Sequence, residues 1–521
     1  MLTRRSLLQS STGALAARLF AAPRSAKPNA ALENLGAVAL HEAKKLKATY
    51  CDTRIIRYRR QVLTMALNPQ RGTGKTVEVP IVTDGGSFGF GVRVIAGGAW
   101  GFAASPFVNK DEIARVTGEA IGVARANAAL QPRPIELAPV KAYRDYWQTP
   151  HERDPFAVSL EEKLELIRSA AAEVKKENQV FSSLCTLTFR SEDKYFASSE
   201  GSSIQQLNLQ TLGEVSATAV DVRQGLSKSR RYAPPQVTAG YEYVPLMNLV
   251  ENARRIRSEV LEHLRAPAVT PGQKDLVLMP NHLWLTIHES IGHSTELDRA
   301  LGYEANYAGT SFLTLDKMGK QRIGSEIVNV WGDRTNERGL ATAGYDDDGV
   351  KTTKFPIVEK GIFTHFQTIR DQARLVGEKE SRGCCYADHW SSVPFQRMPN
   401  VWLEPGKPDV TLEDLISGVD DGILIDGDGS WSIDHQRYNF QFGGDAFWAI
   451  KGGKKQGMLS RVAYQSRTTD LWQACDGIAG PSYWMQWGAP NDGKGEPGQI
   501  NAVSHGCSPA RFRRVNVLLT D

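Results

Sequence analysis

Two histidines and a glutamate, His288, Glu289 and His293, stand within six positions of one another in the apolar stretch Leu283 to Leu297. Imidazole nitrogen is a ready ligand for a transition-metal ion. A carboxylate beside the first histidine can take a proton from water and later deliver it to a leaving amine. Those are the parts of a metal-assisted hydrolase, but the spacing sets a condition. In the His-Glu-x-x-His zinc pattern the histidines are four apart, about 40° round a helix, so both reach one ion. His288 and His293 are five apart, about 140° on an ideal helix. A local widening to an i→i+5 turn would bring them onto one side, and Gly292 makes that distortion cheap. Two unrelated buried histidines, each hydrogen-bonded locally, are the alternative. The local sequence leaves both readings open.

The elements that must position this segment read as follows. Leu32, Leu35, Ala39, Ala43 and Leu46 recur at helical spacing over 30–47. Alternation then takes over from Thr53 to Met65, and Gly85, Gly86 and Gly89 read as a turn leading to Val92-Arg93-Val94-Ile95. Asn109 is a candidate cap for a helix over 111–129, and Ser159 opens another with Glu161 and Glu162 in its first turn. Strand-like sequence runs over 180–222, and a helix over 246–264. Pro234-Pro235 and Ala266 to Gly272 are both candidate boundaries; the earlier one divides the chain into 30–235 and 236–521. The fold class predicted is α+β, an N-terminal α/β domain followed by a strand-rich C-terminal domain holding the histidine helix.

Composition narrows the function classes. The chain has 521 residues, 41% hydrophobic and 23% charged, which excludes intrinsic disorder and predicts two to four domains. Lys and Arg number 62 against 58 Asp and Glu, too small an excess to imply nucleic acid as an obligatory partner. Six cysteines in so long a chain are no disulfide scaffold, although vicinal Cys384 and Cys385 would be free to pair in an oxidising compartment. No run is long and apolar enough for an integral membrane segment. Residues 1–29 do not look like fold: Thr3-Arg4-Arg5-Ser6-Leu7-Leu8, followed by an Ala/Leu/Ser-rich run, resembles a twin-arginine export signal. That predicts a periplasmic or otherwise exported protein, with a cytoplasmic one as the alternative.

Further along, sequence similarity supplies what spacing does not. His288 to Asp298 resembles the His-Glu-x-x-x-His signature of the TldD/PmbA family, the modulators of DNA gyrase. Gly91 to Ile95 with Trp100 to Ala103, Tyr345 to Val350, Arg397 to Asn400, Gly493 to Gln499 and Pro509 to Phe512 resemble the family's other segments, in the same order. The resemblance implies a zinc-dependent peptidase acting on unfolded or flexible peptides. It also implies a dimer, either of like chains or with a metal-free PmbA/TldE-type chain. Carried over, His288 and His293 would be zinc ligands and Glu289 the general base, which marks this chain as the metal-bearing TldD type. A non-catalytic, metal-free partner subunit of a peptidase complex is the alternative function.

One position departs from the family. Where it places a cysteine as third ligand, this chain aligns Asp492, with Cys507 and Cys475 as competing candidates. Two histidines and one carboxylate form a known catalytic zinc set. A carboxylate in place of a thiolate hardens the site, so Mn or Fe becomes more competitive. Elsewhere, Asp346, Asp347 and Asp348 read as a solvated acidic turn rather than a cation site. Glu296 and Asp298 read equally as acceptors for the second histidine and as surface charges. His505 reads as an exposed loop residue, or else as an oxyanion donor. Tyr483 to Trp487 reads as core packing, with a peptide cleft as the alternative.

Overall fold

The computed structural model describes residues 28–70, 73–495 and 497–520. The expected export signal falls, through residue 27, outside the described residues. Among them, no helix is long and apolar enough to cross a membrane.

The N-terminal half is built on an eight-stranded sheet. Its path runs Ala99–Ser105, Thr76–Ala96, Tyr50–Pro69, Val180–Ser198, Ser203–Asp221, Arg144–Gln148, all antiparallel except the last pair. The expected caps form: Asn109 accepts from Glu112 N at the start of Lys110–Ala128, and Ser159 accepts from Glu162 N at the start of Leu160–Val174. Helices Ala30–Lys45 and Lys110–Ala128 bury Ala39, Ala43, Ile113, Val116 and Ile121 against one part of the sheet. Leu160–Val174 and Leu249–Leu264 cover another part.

Two expectations need correcting. Gly85, Gly86 and Gly89 do not form a turn; they lie inside the long strand Thr76–Ala96. A Cβ on Gly89 would sit 2.3 Å from the Trp390 ring, so this glycine serves close approach rather than chain reversal. The boundary after Pro235 would assign helix Leu249–Leu264 to the C-terminal domain. Its apolar face, Leu249, Ala253, Ile256 and Val260, instead packs with Leu187, Phe189 and Val215 of the N-terminal sheet. The packing divides at Ala266 to Gly272.

The C-terminal half is strand-rich, as predicted. Strands Asp421–Ile433, Gly272–Leu278, Ala510–Leu519, Val462–Arg467 and Asn439–Lys451 pair in that order, and Asp421–Ile433 also pairs with Asn439–Lys451, closing the path on itself. Leu276, Leu278, Ile423, Ile425, Phe442 and Tyr464 from these strands bury Leu283, Ile287 and Ile291 of the histidine segment. A separate hairpin, Met485–Lys494 with Gln499–Cys507, lies against the same segment.

Buried charge joins the halves. Asp346, Asp347 and Asp348 are no solvated turn, being 1–3% exposed. Asp347 pairs with Lys194 at 2.6 Å and Arg54 at 3.4 Å, and Asp348 with Arg93 at 2.6 Å. A buried carboxylate requires such partners. All six cysteines are free and buried, so Cys384 and Cys385 do not pair with each other.

Candidate metal centre

The helix Pro280–Ile287 continues into a single π turn, His288–Gly292. The backbone N–H of His293 donates to the His288 carbonyl, the i→i+5 bond that the spacing required. Local chemistry makes this turn tolerable. Ser294 and Thr295 hydroxyls donate back to the carbonyls of Ser290 and Ile291 at 2.8 Å, and Gln367 Nε2 donates to Gly292 O at 2.6 Å. The carbonyls that a widened turn leaves under-bonded are thereby satisfied. Gly292 is needed for a second reason: a Cβ there would meet Met398 Sδ at 2.7 Å.

The π turn sets the two imidazoles 4.5 Å apart, centre to centre. Asp492 comes to them from the hairpin. Its Oδ1 lies 3.4 Å from His288 Nε2 and 3.5 Å from His293 Nε2. All three side chains are buried, and one donor atom from each lies within 4.8 Å of the others. The competing cysteines are elsewhere in the packing. Cys507 Sγ lies 3.8 Å from the Pro280 carbonyl, and burial pushes the Cys475 thiol up to about 12.

Asp492 is aimed by its surroundings. The hairpin register shifts between Ala489 and Asp492, a bulge of the kind that re-aims a side chain. Arg190, from the N-terminal sheet, holds that irregularity by donating to Pro490 O at 2.7 Å and Asn491 Oδ1 at 2.8 Å. Arg397 donates to the Asp492 carbonyl at 2.5 Å and to Oδ2 at 3.3 Å. Burial alone would raise the Asp492 pKa, but His293, His288 and Arg397 outweigh it and hold the carboxyl well below its usual range.

Each histidine has one nitrogen committed elsewhere. Val401 O can only accept, so His505 carries its proton on Nδ1, 2.9 Å away. His505 Nε2 then accepts from His288 Nδ1–H at 2.8 Å, which turns His288 Nε2 toward Asp492. Glu296 accepts from His293 Nδ1–H at 2.8 Å, leaving that Nε2 toward Asp492 as well. His505 is therefore neither exposed nor an oxyanion donor: it is fully buried behind His288.

The even reading of Glu296 and Asp298 resolves into two roles. Glu296 orients His293, while Asp298 instead accepts from Lys494 Nζ at 2.9 Å. Burial opposes ionisation of Glu296, but Lys494 and Arg299 keep it ionised, well below the usual carboxylate range. Burial, with Arg299 and Arg437, pushes His293 well down, so its imidazole stays neutral.

Glu289 is buried in the π turn next to His288 and forms an ion pair with Arg437. Arg437 follows a turn before strand Asn439–Lys451 and has φ +63°; nothing in its local sequence points to this contact. Lys494 belongs to a segment singled out from the sequence, but its clamp on Glu296, Asp298 and Gln396 is visible only in the fold.

The donor set suits a divalent ion: two imidazole nitrogens and one ionised carboxylate lie within 4.8 Å of one another. Comparison with known proteins agrees with this chemistry. The PmbA/TldA metallopeptidase C-terminal domain matches residues 271–517, its domain 1 residues 78–124, and its central domain residues 153–262. The chain belongs to the PmbA/TldD family. A protein named metalloprotease MJ0996 from Methanocaldococcus jannaschii is 25% identical over 412 residues, covering 78% of this chain and 86% of that one. A zinc metalloprotease TldD homolog from Saccharolobus solfataricus is 23% identical, covering 74% and 79%. TldE from Thermococcus kodakarensis has a similar fold, with a TM-score of 0.67 at 18% identity over 94% of this chain and all of that one. A candidate modulator of a DNA gyrase from Thermotoga maritima superposes with a TM-score of 0.71 at 15% identity over 94% of this chain and all of that one.

Proposed function

We propose that this chain is a metal-dependent peptidase acting on unfolded or flexible peptides, with His288, His293 and Asp492 as ligands and Glu289 as general base. The observation that carries the reading is the π turn, which brings both histidines to Asp492 with Glu289 alongside. A divalent ion held by these three residues would supply Lewis acidity, making water a better nucleophile and polarising the scissile carbonyl. The chain's own groups do the rest. Glu289 Oε accepts a proton from the attacking water and passes it to the leaving amine. Arg437 pairs with that carboxylate and orients it in the resting site. His505 and Glu296 fix the protons of the ligand imidazoles on Nδ1 and leave both Nε2 atoms free. Zinc is the metal this donor set favours, and one relative is named a zinc metalloprotease; the carboxylate brings Mn or Fe closer in affinity.

The test uses fluorescein-labelled casein and metal analysis on the same preparations. Glu289→Gln is expected to keep its metal and lose hydrolysis, while His288→Ala loses both. Hydrolysis surviving in Glu289→Gln would remove the residue from its role. The likeness to TldE supports assembly with a TldE-type chain or a second copy, read by sedimentation with and without such a chain. Export rests on the paired arginines Arg4 and Arg5 and is read by cell fractionation. The metal-free partner role draws no support from a site whose three donor groups all converge.

A further inference from the structure

A cavity of about 440 Å³ lies between the N-terminal sheet and the C-terminal half, within the size range of small-molecule and side-chain sites. Its lining holds five cationic side chains and two carboxylates. Two of the cations are already neutralised: Lys194 pairs with Glu192 and Asp347, and Arg59 with Asp84. The lining carboxylates are spoken for as well. Glu192 takes Lys194 and the Tyr386 hydroxyl, and Asp388 takes the Ser392 hydroxyl and Ile500 N–H at 2.8 Å.

That leaves Arg60, Arg190 and Arg334, none of which pairs with a carboxylate among the described residues. Arg60 is exposed, whereas Arg334 is only 3% exposed and its Nε is buried without a hydrogen-bond partner. Arg190 Nε is likewise buried without a partner, and burial together with Arg60 pushes its pKa down to about 10. Trp147, Tyr345 and Tyr386 supply apolar wall between the cations. Burying a guanidinium with no anion is costly, and a protein keeps such a group where a ligand completes it. The cavity also touches the candidate centre: Asn491 and Asn501 line it, one preceding Asp492 in the chain and the other paired with it across the hairpin.

We propose that this cavity is an anion subsite that takes a carboxylate of the peptide substrate, held by Arg60, Arg190 and Arg334 beside the hairpin that presents Asp492. The proposal rests on the peptidase reading and names its substrate preference. Planar guanidinium groups match a carboxylate fork, and the aromatic walls accept the adjoining side chain. The carboxylate has two sources, the free C-terminus of a peptide or an acidic side chain within it.

The experiment measures binding without turnover, using the zinc-loaded Glu289→Gln full chain and fluorescence anisotropy. Three fluorescein-labelled decapeptides of Gly, Ala and Ser with one Phe serve as probes: one with a free C-terminus, one amidated, and one amidated with an internal Glu. Tighter binding of the first than the second assigns the α-carboxylate; tighter binding of the third than the second assigns an acidic side chain. In either case Arg334→Gln and Arg60→Gln, each combined with Glu289→Gln, are expected to weaken the preferred probe by about tenfold, the loss of one charge-assisted pair. Metal content should not change. Arg60 is exposed, so Arg60→Gln carries the test if Arg334→Gln does not fold. In the active chain the same two substitutions raise KM for the preferred peptide with kcat little altered. Equal binding of all three probes, or binding indifferent to both substitutions, overturns the proposal. Failure of the active chain to cleave any peptide would sink the peptidase reading and leave the binding result standing by itself.

Discussion

His505 offers the sharpest test of how the site is tuned, because it touches no substrate and acts only through His288. Replacing it with Phe keeps an aromatic ring against Trp284, whose ring stacks on His505 at 6.1 Å and 14°. What the replacement removes is the acceptor for His288 Nδ1–H at 2.8 Å. Two outcomes are then open to His288. It can leave a buried N–H unsatisfied, at a cost of about 1–3 kcal/mol. Alternatively, it can move the proton to Nε2, which occupies the lone pair meant for the metal. Both routes weaken metal binding, and changes to such outer partners typically cost about 10–100-fold in affinity. His505→Phe should therefore fall in that range when zinc is titrated against a chromophoric chelator. His505→Gln, whose amide oxygen can still accept, should recover most of the loss. Nitrogen-15 spectra of the His288 ring in the metal-free chain would show the proton on Nδ1 in the parent and a shift toward Nε2 in the Phe variant. Unchanged zinc affinity in His505→Phe, or a Gln variant as weak as the Phe one, would refute the reasoning.

Other consequences follow from the same geometry. Asp492→Ala should lose metal from the purified chain, while Asp492→Cys should keep zinc and discriminate more strongly against Mn, both read by elemental analysis. Gly89→Ala would drive its Cβ to 2.3 Å from Trp390, and overpacking of this kind costs about 1–3 kcal/mol, visible as a lowered melting temperature. His263 is buried with neither ring nitrogen hydrogen-bonded, and burial, Lys228 and Arg230 push its pKa down to about 4. The unfolded chain, at about 6.5, takes up that proton first as pH falls, so the stability it represents is full above about pH 6.5 and lost on the way to about pH 4. The gap is worth about 3 kcal/mol, and His263→Phe should flatten the acid limb of the stability curve by about that much in urea titrations from pH 7 to 4; an unchanged slope would show that the imidazole charges freely in the fold.

What could be read from the sequence divides by the range of the interaction that decides it. Asn109 and Ser159 cap their helices through bonds to Glu112 and Glu162, three residues away, so residue type and position suffice. The π turn was legible only as a condition, since the local sequence left two unrelated histidines open as well. Two histidines five apart reach one ion only through an i→i+5 bond, and the glycine that permits it stands within the turn. Asp492 lies about two hundred residues from His293 in the chain, and nothing local marks it as a ligand; only resemblance to a family pointed there. Gly89 shows how a local rule misleads. A glycine cluster signals a turn when the only competitor is the neighbouring backbone, but here the competitor is Trp390, brought across the domain interface by the fold. Arg437 and Arg334 were invisible because an arginine in a loop carries no sign of being buried. In both, the charge is informative only once its surroundings are known: Arg437 forms an ion pair with Glu289, while Arg334 forms none with a carboxylate among the described residues and feels Asp346 only at longer range. A buried cation with a partner is part of the machinery already assembled. A buried cation without one points to chemistry that arrives from outside the chain, and this is why the cavity beside Asp492, rather than the metal ligands themselves, says most about what the protein would hold.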